Sequence, residues 1–163
     1  MRVLTQFLHP HTPFSRGSNG DFPTMNPGTQ DRCVLKGVGG MRILLVDDEQ
    51  RLRAAIARSL SARGYSVLEA GDAASALALA GSHAVDLLIL DINLPDATGW
   101  DVLRTLKERE ASVRTVVFSA APPSRTRIAE FAPFGVLYKP FPIGALLSLV
   151  DRAAGNVSES GDD

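Results

Sequence analysis

The densest chemistry in the chain is Asp47-Asp48-Glu49, three carboxylates that follow directly on the apolar run Ile43-Leu44-Leu45-Val46. That run is too short for a helix and rich in branched side chains, so it predicts a strand buried on both faces, with the acids emerging at its C-terminal end. In an open parallel sheet, ligands bind beyond that end. Carboxylates crowded on the rim of a dry sheet repel one another, and a hard divalent cation with oxygen ligands, usually Mg²⁺, relieves the repulsion. The plainer alternative is that the acids only cap the next helix, whose N-terminus favours negative charge. The choice depends on what else meets this rim.

Three further polar groups follow apolar runs in the same way: Asp91, Ser119 and Lys139. The elements that must carry them alternate. Strands are predicted at about 42–46, 66–70, 85–90, 114–119 and 135–138, and helices at about 49–63, 72–80, 99–110, 124–131 and 143–154. In the first helix Leu52, Ile56 and Leu60 form one stripe, with Arg51, Arg53 and Arg58 largely on the other side, and Arg63-Gly64 ends it. Asp72 caps the second helix. In the fifth, Ile143, Leu146, Leu147 and Val150 follow the i, i+3, i+4, i+7 pattern.

Five βα units with near-continuous apolar strands predict an α/β, flavodoxin-like, doubly wound fold. Its five-stranded parallel sheet has the order 2-1-3-4-5, with helices on both faces. Strands 1 and 3 are then neighbours at the switch point. Asp47, Asp48, Asp91, Ser119 and Lys139 converge on one rim, and capping alone accounts poorly for polar groups at four of five strand ends.

This set suits phosphoryl chemistry. A carboxylate can attack phosphorus to give an acyl phosphate. A divalent cation and a fixed ammonium would neutralise the charge that gathers on the transferring group, Lys acting as a point charge on a flexible stem. The Ser119 hydroxyl can donate to one phosphoryl oxygen. No glycine-rich cradle precedes any helix, so bound ATP is not the expected donor.

Val46-Asp47-Asp48-Glu49, Asp91 with Pro95 and Gly99 downstream, Ser119-Ala120 and Lys139-Pro140-Phe141, in this order and spacing, resemble the receiver domain of two-component response regulators over about 41–154. The resemblance implies Asp91 as phosphoacceptor and Mg²⁺ held by Asp48, by Asp47 through water, by Asp91 and by the Asn93 carbonyl. It also implies Ser119 as switch hydroxyl, Ala120 N–H as a phosphoryl contact, Lys139 as phosphate-contacting lysine ahead of a cis Pro140, and Asn93 and Ala121 as residues that tune phosphoryl loss. Two features depart from the family. Its aromatic three residues before the lysine is Val136 here, while Tyr138, two residues on and on the same face, lies next to the lysine. The segment around the fourth helix is also short, bracketed by Pro122-Pro123 and Pro133.

Composition sets outer bounds. With 163 residues and 45% hydrophobic content, one domain with a proper core is expected. A net charge of −1 leaves no basic face for nucleic acid. The single Cys33 makes no internal disulfide and fits a reducing compartment. There is neither a transmembrane run nor a secretory signal, so a cytoplasmic protein without membrane association is expected. Residues 1–40, with Pro10, Pro13, Pro23 and Pro27, read as a disordered extension in which His9 and His11 are solvated. Gly37-Val38-Gly39-Gly40 would be its hinge, and Met41 offers an alternative start that would make the extension foreign to the native product. Residues 155–163 read as a flexible acidic tail. Trp100 is expected in packing, His83 in a solvated loop, and Arg125 and Arg127 on a charged face.

The functional expectation is therefore a phosphoacceptor in a two-component phosphorelay, regulatory rather than enzymatic. Its partners would be a histidine kinase or histidine phosphotransfer protein and a downstream protein target. The resemblance also implies pairing of two copies through the fourth helix, fifth strand and fifth helix on phosphorylation. With nine residues after the fifth helix, output is expected through protein–protein contact. A pseudo-receiver that binds a partner without phosphorylation is the alternative. A phosphatase of the haloacid dehalogenase-like kind would need an acid two residues after the nucleophile, where Asn93 stands.

Overall fold

The computed structural model describes residues 40–156. Strands β1 (Arg42–Val46), β2 (Ser66–Ala70), β3 (Leu87–Asp91), β4 (Arg114–Ser119) and β5 (Gly135–Tyr138) alternate with helices α1 (Gln50–Ser61), α2 (Ala73–Ser82), α3 (Gly99–Glu108), α4 (Arg125–Phe131) and α5 (Ile143–Ala154). The sheet order is β2-β1-β3-β4-β5 and every pairing is parallel, as the apolar strands predict.

Alternation along the strands builds two cores. Ile43 and Leu45 of β1, with Leu87, Ile89, Val116 and Phe118, meet Ile56 and Leu60 of α1 and Leu146 and Val150 of α5. Leu44 and Val46, with Leu88, Leu90 and Val117, meet Ala73 and Ala76 of α2 and Val102, Leu103 and Leu106 of α3, with Phe131 of α4 packed against them. Each fully buried aliphatic side chain is worth roughly 1.5–3 kcal/mol, so β1 and β3 form a rigid platform for whatever stands at their ends.

The ends of the elements refine the sequence reading. β3 begins at Leu87 rather than 85, because Asp86 is occupied otherwise: its N–H donates to the Arg42 carbonyl at 2.9 Å and its carboxylate accepts the Arg42 N–H at 2.7 Å. At its other end β3 runs through Asp91, which pairs with Phe118. Helix α1 starts one residue later than expected, with Glu49 as N-cap, and stops at Ser61; Gly64 takes φ 85° in the turn that follows. Helix α2 runs to Ser82, two residues beyond its expected end, and α3 stops at Glu108, two short of it. Thr98 and Asp101 open α3 with a capping box. Helix α5 spans the predicted residues and closes on Gly155 at φ 76°.

Trp100 is buried and stacked on Phe131 at 5.5 Å, consistent with packing. His83 is exposed, and Arg127 pairs with Glu130 at 3.0 Å. The expectations for residues 1–39, including His9, His11 and Cys33, and for 157–163 lie outside the described residues. Among the described residues no helix is long and apolar enough to cross a membrane.

Candidate functional site

The ladder sets the first two groups side by side. β1 and β3 pair with Val46 opposite Leu90, so Asp47 and Asp91 leave adjacent strands at the same level. Both are almost fully buried, at 0% and 3% exposure. Two buried carboxylates at this spacing need a counter-charge. It arrives from the far side of the sheet. Lys139, just past β5, places Nζ 2.7 Å from Asp47 Oδ2 and 2.5 Å from Asp91 Oδ2. Its backbone N–H donates to the Ser119 carbonyl at 2.9 Å, and the Lys139–Pro140 peptide is cis, as the resemblance implied.

The remaining carboxylate oxygens accept from the loops that follow each strand. Glu49 N–H donates to Asp47 Oδ1 at 2.9 Å, and Asn93 N–H donates to Asp91 Oδ1 at 3.0 Å. Burial alone would depress the Lys139 ammonium, but its hydrogen bonds to Asp47 and Asp91, with their charges, outweigh burial and hold its pKa above the ordinary lysine value. It is a fixed cation across the physiological range.

Asp48 is exposed, yet ligand oxygens of Asp47, Asp48 and Asp91 all lie within 4.8 Å of one another. An all-oxygen, carboxylate-rich donor set fits a hard cation such as Mg²⁺ and suits softer metals poorly. Asn93 lies on the same rim, in a loop pinned by an Asn93–Thr98 bridge and by Gly99 N–H donating to the Ile92 carbonyl at 2.8 Å.

Ser119 ends β4 beside this cluster, but its hydroxyl faces its own loop. Oγ donates to the Ala121 carbonyl at 2.5 Å and accepts the Ala121 N–H at 3.4 Å. Ala120 and Ala121 are exposed next to it. Val136 packs against the core that contains Trp100 and Val117, and Tyr138 stands at 51% exposure.

Two residues outside the expected set touch the site's scaffold. Arg53, expected on the solvated side of α1, turns inward: its Nη1 donates to the Asp47 carbonyl at 2.5 Å. A helical side chain covers the turn N-terminal to its own Cα, so an arginine one turn into α1 reaches the β1–α1 loop; that direction is the signal which could have found it. Asp96 accepts the Ala73 and Ala74 N–H groups at 2.8 and 3.0 Å, joining the Asp91 loop to the start of α2. Nothing in the local sequence around Asp96 names that distant helix.

A surface groove of about 730 Å³, lined by Arg51, Ala54, Arg58 and Glu69 among others, runs along α1 and holds none of the converging aspartates.

A profile of the response regulator receiver domain matches residues 43–151. The chain belongs to the response regulator receiver family. The receiver's fold is that of solved relatives. The chemotaxis protein CheY4 of Vibrio cholerae superposes with a TM-score of 0.66 at 25% identity, covering 71% of this chain and 99% of that one. The response regulator TrrA of Thermotoga maritima, solved in complex with Mg(2+)-BeF, superposes at 0.62 with 27% identity, covering 69% and 98%. By sequence, the response regulator MprA of Mycobacterium avium is 36% identical over 110 residues, 66% of this chain and 48% of that protein. The receiver spans about half the length of the curated relatives it matches. Receiver domains are regulatory modules of two-component signalling rather than enzymes in the ordinary sense.

Proposed function

We propose that this receiver accepts a phosphoryl group from a phosphohistidine onto Asp91 and signals through protein contact. The observation that carries the reading is the sharing of one ammonium, Lys139, by two buried carboxylates from adjacent strands. A buried acid pair held by a cation from across the sheet is a costly arrangement for a fold to keep without a use.

In the transfer, an Asp91 carboxylate oxygen forms the new bond to phosphorus while the P–N bond of the phosphohistidine breaks, and the departing imidazole takes a proton. Lys139 lies within reach of the charge that develops on the phosphoryl oxygens. Ser119 Oγ and Ala120 N–H would donate to those oxygens once the hydroxyl leaves the Ala121 carbonyl. Asp47, Asp48, Asp91 and the Asn93 carbonyl would hold Mg²⁺, which when bound supplies further neutralisation of the phosphoryl group. Asn93 and Ala121, at the positions the resemblance marks, would flank the approach of a hydrolytic water and set the lifetime of the acyl phosphate.

Membership of the receiver family supports a protein donor, so the partners are a histidine kinase or a histidine phosphotransfer protein and a downstream protein target. The test is incubation with Mg²⁺ and acetyl phosphate or phosphoramidate, followed by mass measurement. A gain of one phosphoryl group that disappears in Asp91→Asn is expected. No gain from a folded protein overturns this reading in favour of an unphosphorylated interaction module, for which the aliphatic Val136 is the favouring feature. Steady turnover of phosphomonoesters would point instead to a hydrolase.

A further inference from the structure

Arg53, we infer, is a positioning residue that sets the direction of Asp48 by pinning the Asp47–Asp48 peptide, so that Mg²⁺ affinity depends on a side chain outside the ligand set. The inference rests on the metal reading above and adds a residue to it.

The carboxylates of the cluster are not held alike. Asp47 is fixed by Lys139 and the Glu49 N–H, and Asp91 by Lys139 and the Asn93 N–H. Asp48 is exposed, and none of the side-chain hydrogen bonds described above reaches its carboxylate. Its orientation is inherited from the backbone before it. That backbone is tied on both sides: Asp47 N–H donates to the Ala70 carbonyl of β2 at 3.2 Å, and the Asp47 carbonyl accepts Arg53 Nη1 at 2.5 Å. The carbonyl of Asp47 and the N–H of Asp48 share one rigid peptide plane, so fixing the first fixes the Cα from which the Asp48 side chain departs.

Arg53 is itself held for this task. Its side chain is 17% exposed, and Glu69 Oε2 on the end of β2 lies 3.4 Å from Nε. Nε makes no hydrogen bond, so the pair is a charge contact and the carbonyl receives the directed bond. The guanidinium also lies against Gly71, where a Cβ would stand 3.3 Å from Nη1. The absence of a side chain at position 71 leaves it room.

Charge and position predict opposite signs. Removing a cation beside an acidic cluster should strengthen Mg²⁺ binding if Arg53 acts only through its charge. Loss of a group that orients a ligand weakens binding, by about tenfold or more in other metal sites. The experiment is calorimetric titration of the full chain with MgCl₂, for wild type, Arg53→Ala and Arg53→Lys, together with the amide resonance of Asp48 in the metal-free protein. The expected result is about tenfold weaker binding in Arg53→Ala, partial recovery in Arg53→Lys, and a displaced Asp48 resonance without Mg²⁺. Phosphorylation by acetyl phosphate at saturating Mg²⁺ should return close to the wild-type rate. Unchanged or tighter Mg²⁺ binding in a folded Arg53→Ala, or a rate that saturating Mg²⁺ does not recover, overturns the inference. If Arg53→Ala does not fold, Arg53→Lys alone decides, because it keeps the charge and loses the planar fork; wild-type affinity there overturns the assignment. A wild-type protein that binds no Mg²⁺ would instead remove the metal reading on which the inference stands.

Discussion

At the scale of single residues, the site is a charge problem solved by Lys139. Asp47 and Asp91 are buried where two anions would repel one another strongly, and the shared ammonium makes the pair tolerable. Lys139→Ala is therefore expected to lower stability by about 2–3 kcal/mol, less than a fully buried pair would lose because Lys139 keeps some exposure. Since the ammonium and a metal ion would claim the same oxygens, Mg²⁺ should raise the melting temperature of Lys139→Ala by more than it raises that of wild type. Thermal denaturation with and without saturating MgCl₂ checks this, and equal increments in both proteins would sink it. Ser119 gives a second test. Its hydroxyl is engaged with Ala121, so Ser119→Ala should leave the basal fold and Mg²⁺ affinity near wild type and slow the gain of a phosphoryl group from acetyl phosphate, which a mass time course checks. The acids, the hydroxyl and the lysine were legible in the sequence because each interrupts an apolar strand abruptly. The direction of the Ser119 hydroxyl was not, since it depends on a loop carbonyl two residues away whose position the strand pattern does not determine.

At the scale of elements, the β3–α3 loop must hold its shape beside Asp91, and two contacts do so. Gly99 packs so closely under the strand end that a Cβ would stand 2.5 Å from the Asp91 carbonyl oxygen and 3.0 Å from Ile92 Cα. Backbone cannot yield as a flexible side chain can, so Gly99→Ala is expected to cost about 1–3 kcal/mol and to slow phosphorylation of Asp91. Asp96 ties the same loop to α2 by accepting two N–H groups at that helix's N-terminus. These bonds, the Ala73 N–H foremost and then that of Ala74, hold its carboxyl below the ordinary value of 3.8. A depressed folded-state pKa means that the carboxylate stabilises the fold fully above about pH 3.8 and loses that contribution as pH falls through its folded value. Asp96→Asn should therefore melt below wild type by a constant interval at neutral pH, and the interval should narrow as pH falls below about 3.8 toward the lowered folded value; an interval that widens as the pH falls would contradict the assignment. Strand and helix existence was readable from periodicity throughout, but this tie joins residues far apart in sequence and belongs to neither element's pattern. Arg53 escaped notice for a related reason. Helical periodicity sorts residues into buried and exposed faces, while the first turn has a third direction, back over the loop that precedes it.

At the scale of the whole molecule, the question is how a change at Asp91 reaches another protein. The family's aromatic position in β5 is Val136, an aliphatic side chain packed against the core on the α2–α3 face, so a rotating ring at that position is not available. What the molecule does offer is large apolar side chains exposed on its last three elements: Ile128 on α4, Tyr138 on β5 and Ile143 at the start of α5 are 36%, 51% and 42% exposed. Joined in one patch they would form a contact surface. Tyr138 adjoins Lys139 in sequence, so the ammonium that contacts Asp91 and the ring on the surface share one short backbone segment. Redirecting Lys139 toward a phosphoryl group would move that segment, and the ring with it. With Mg²⁺ and beryllofluoride added, sedimentation velocity is expected to show concentration-dependent pairing of two copies. Tyr138→Ser should stay monomeric while binding beryllofluoride as wild type does. Pairing that survives in Tyr138→Ser would place the contact on a different face of the fold, and failure of wild type to pair at any concentration would leave this surface to the downstream partner.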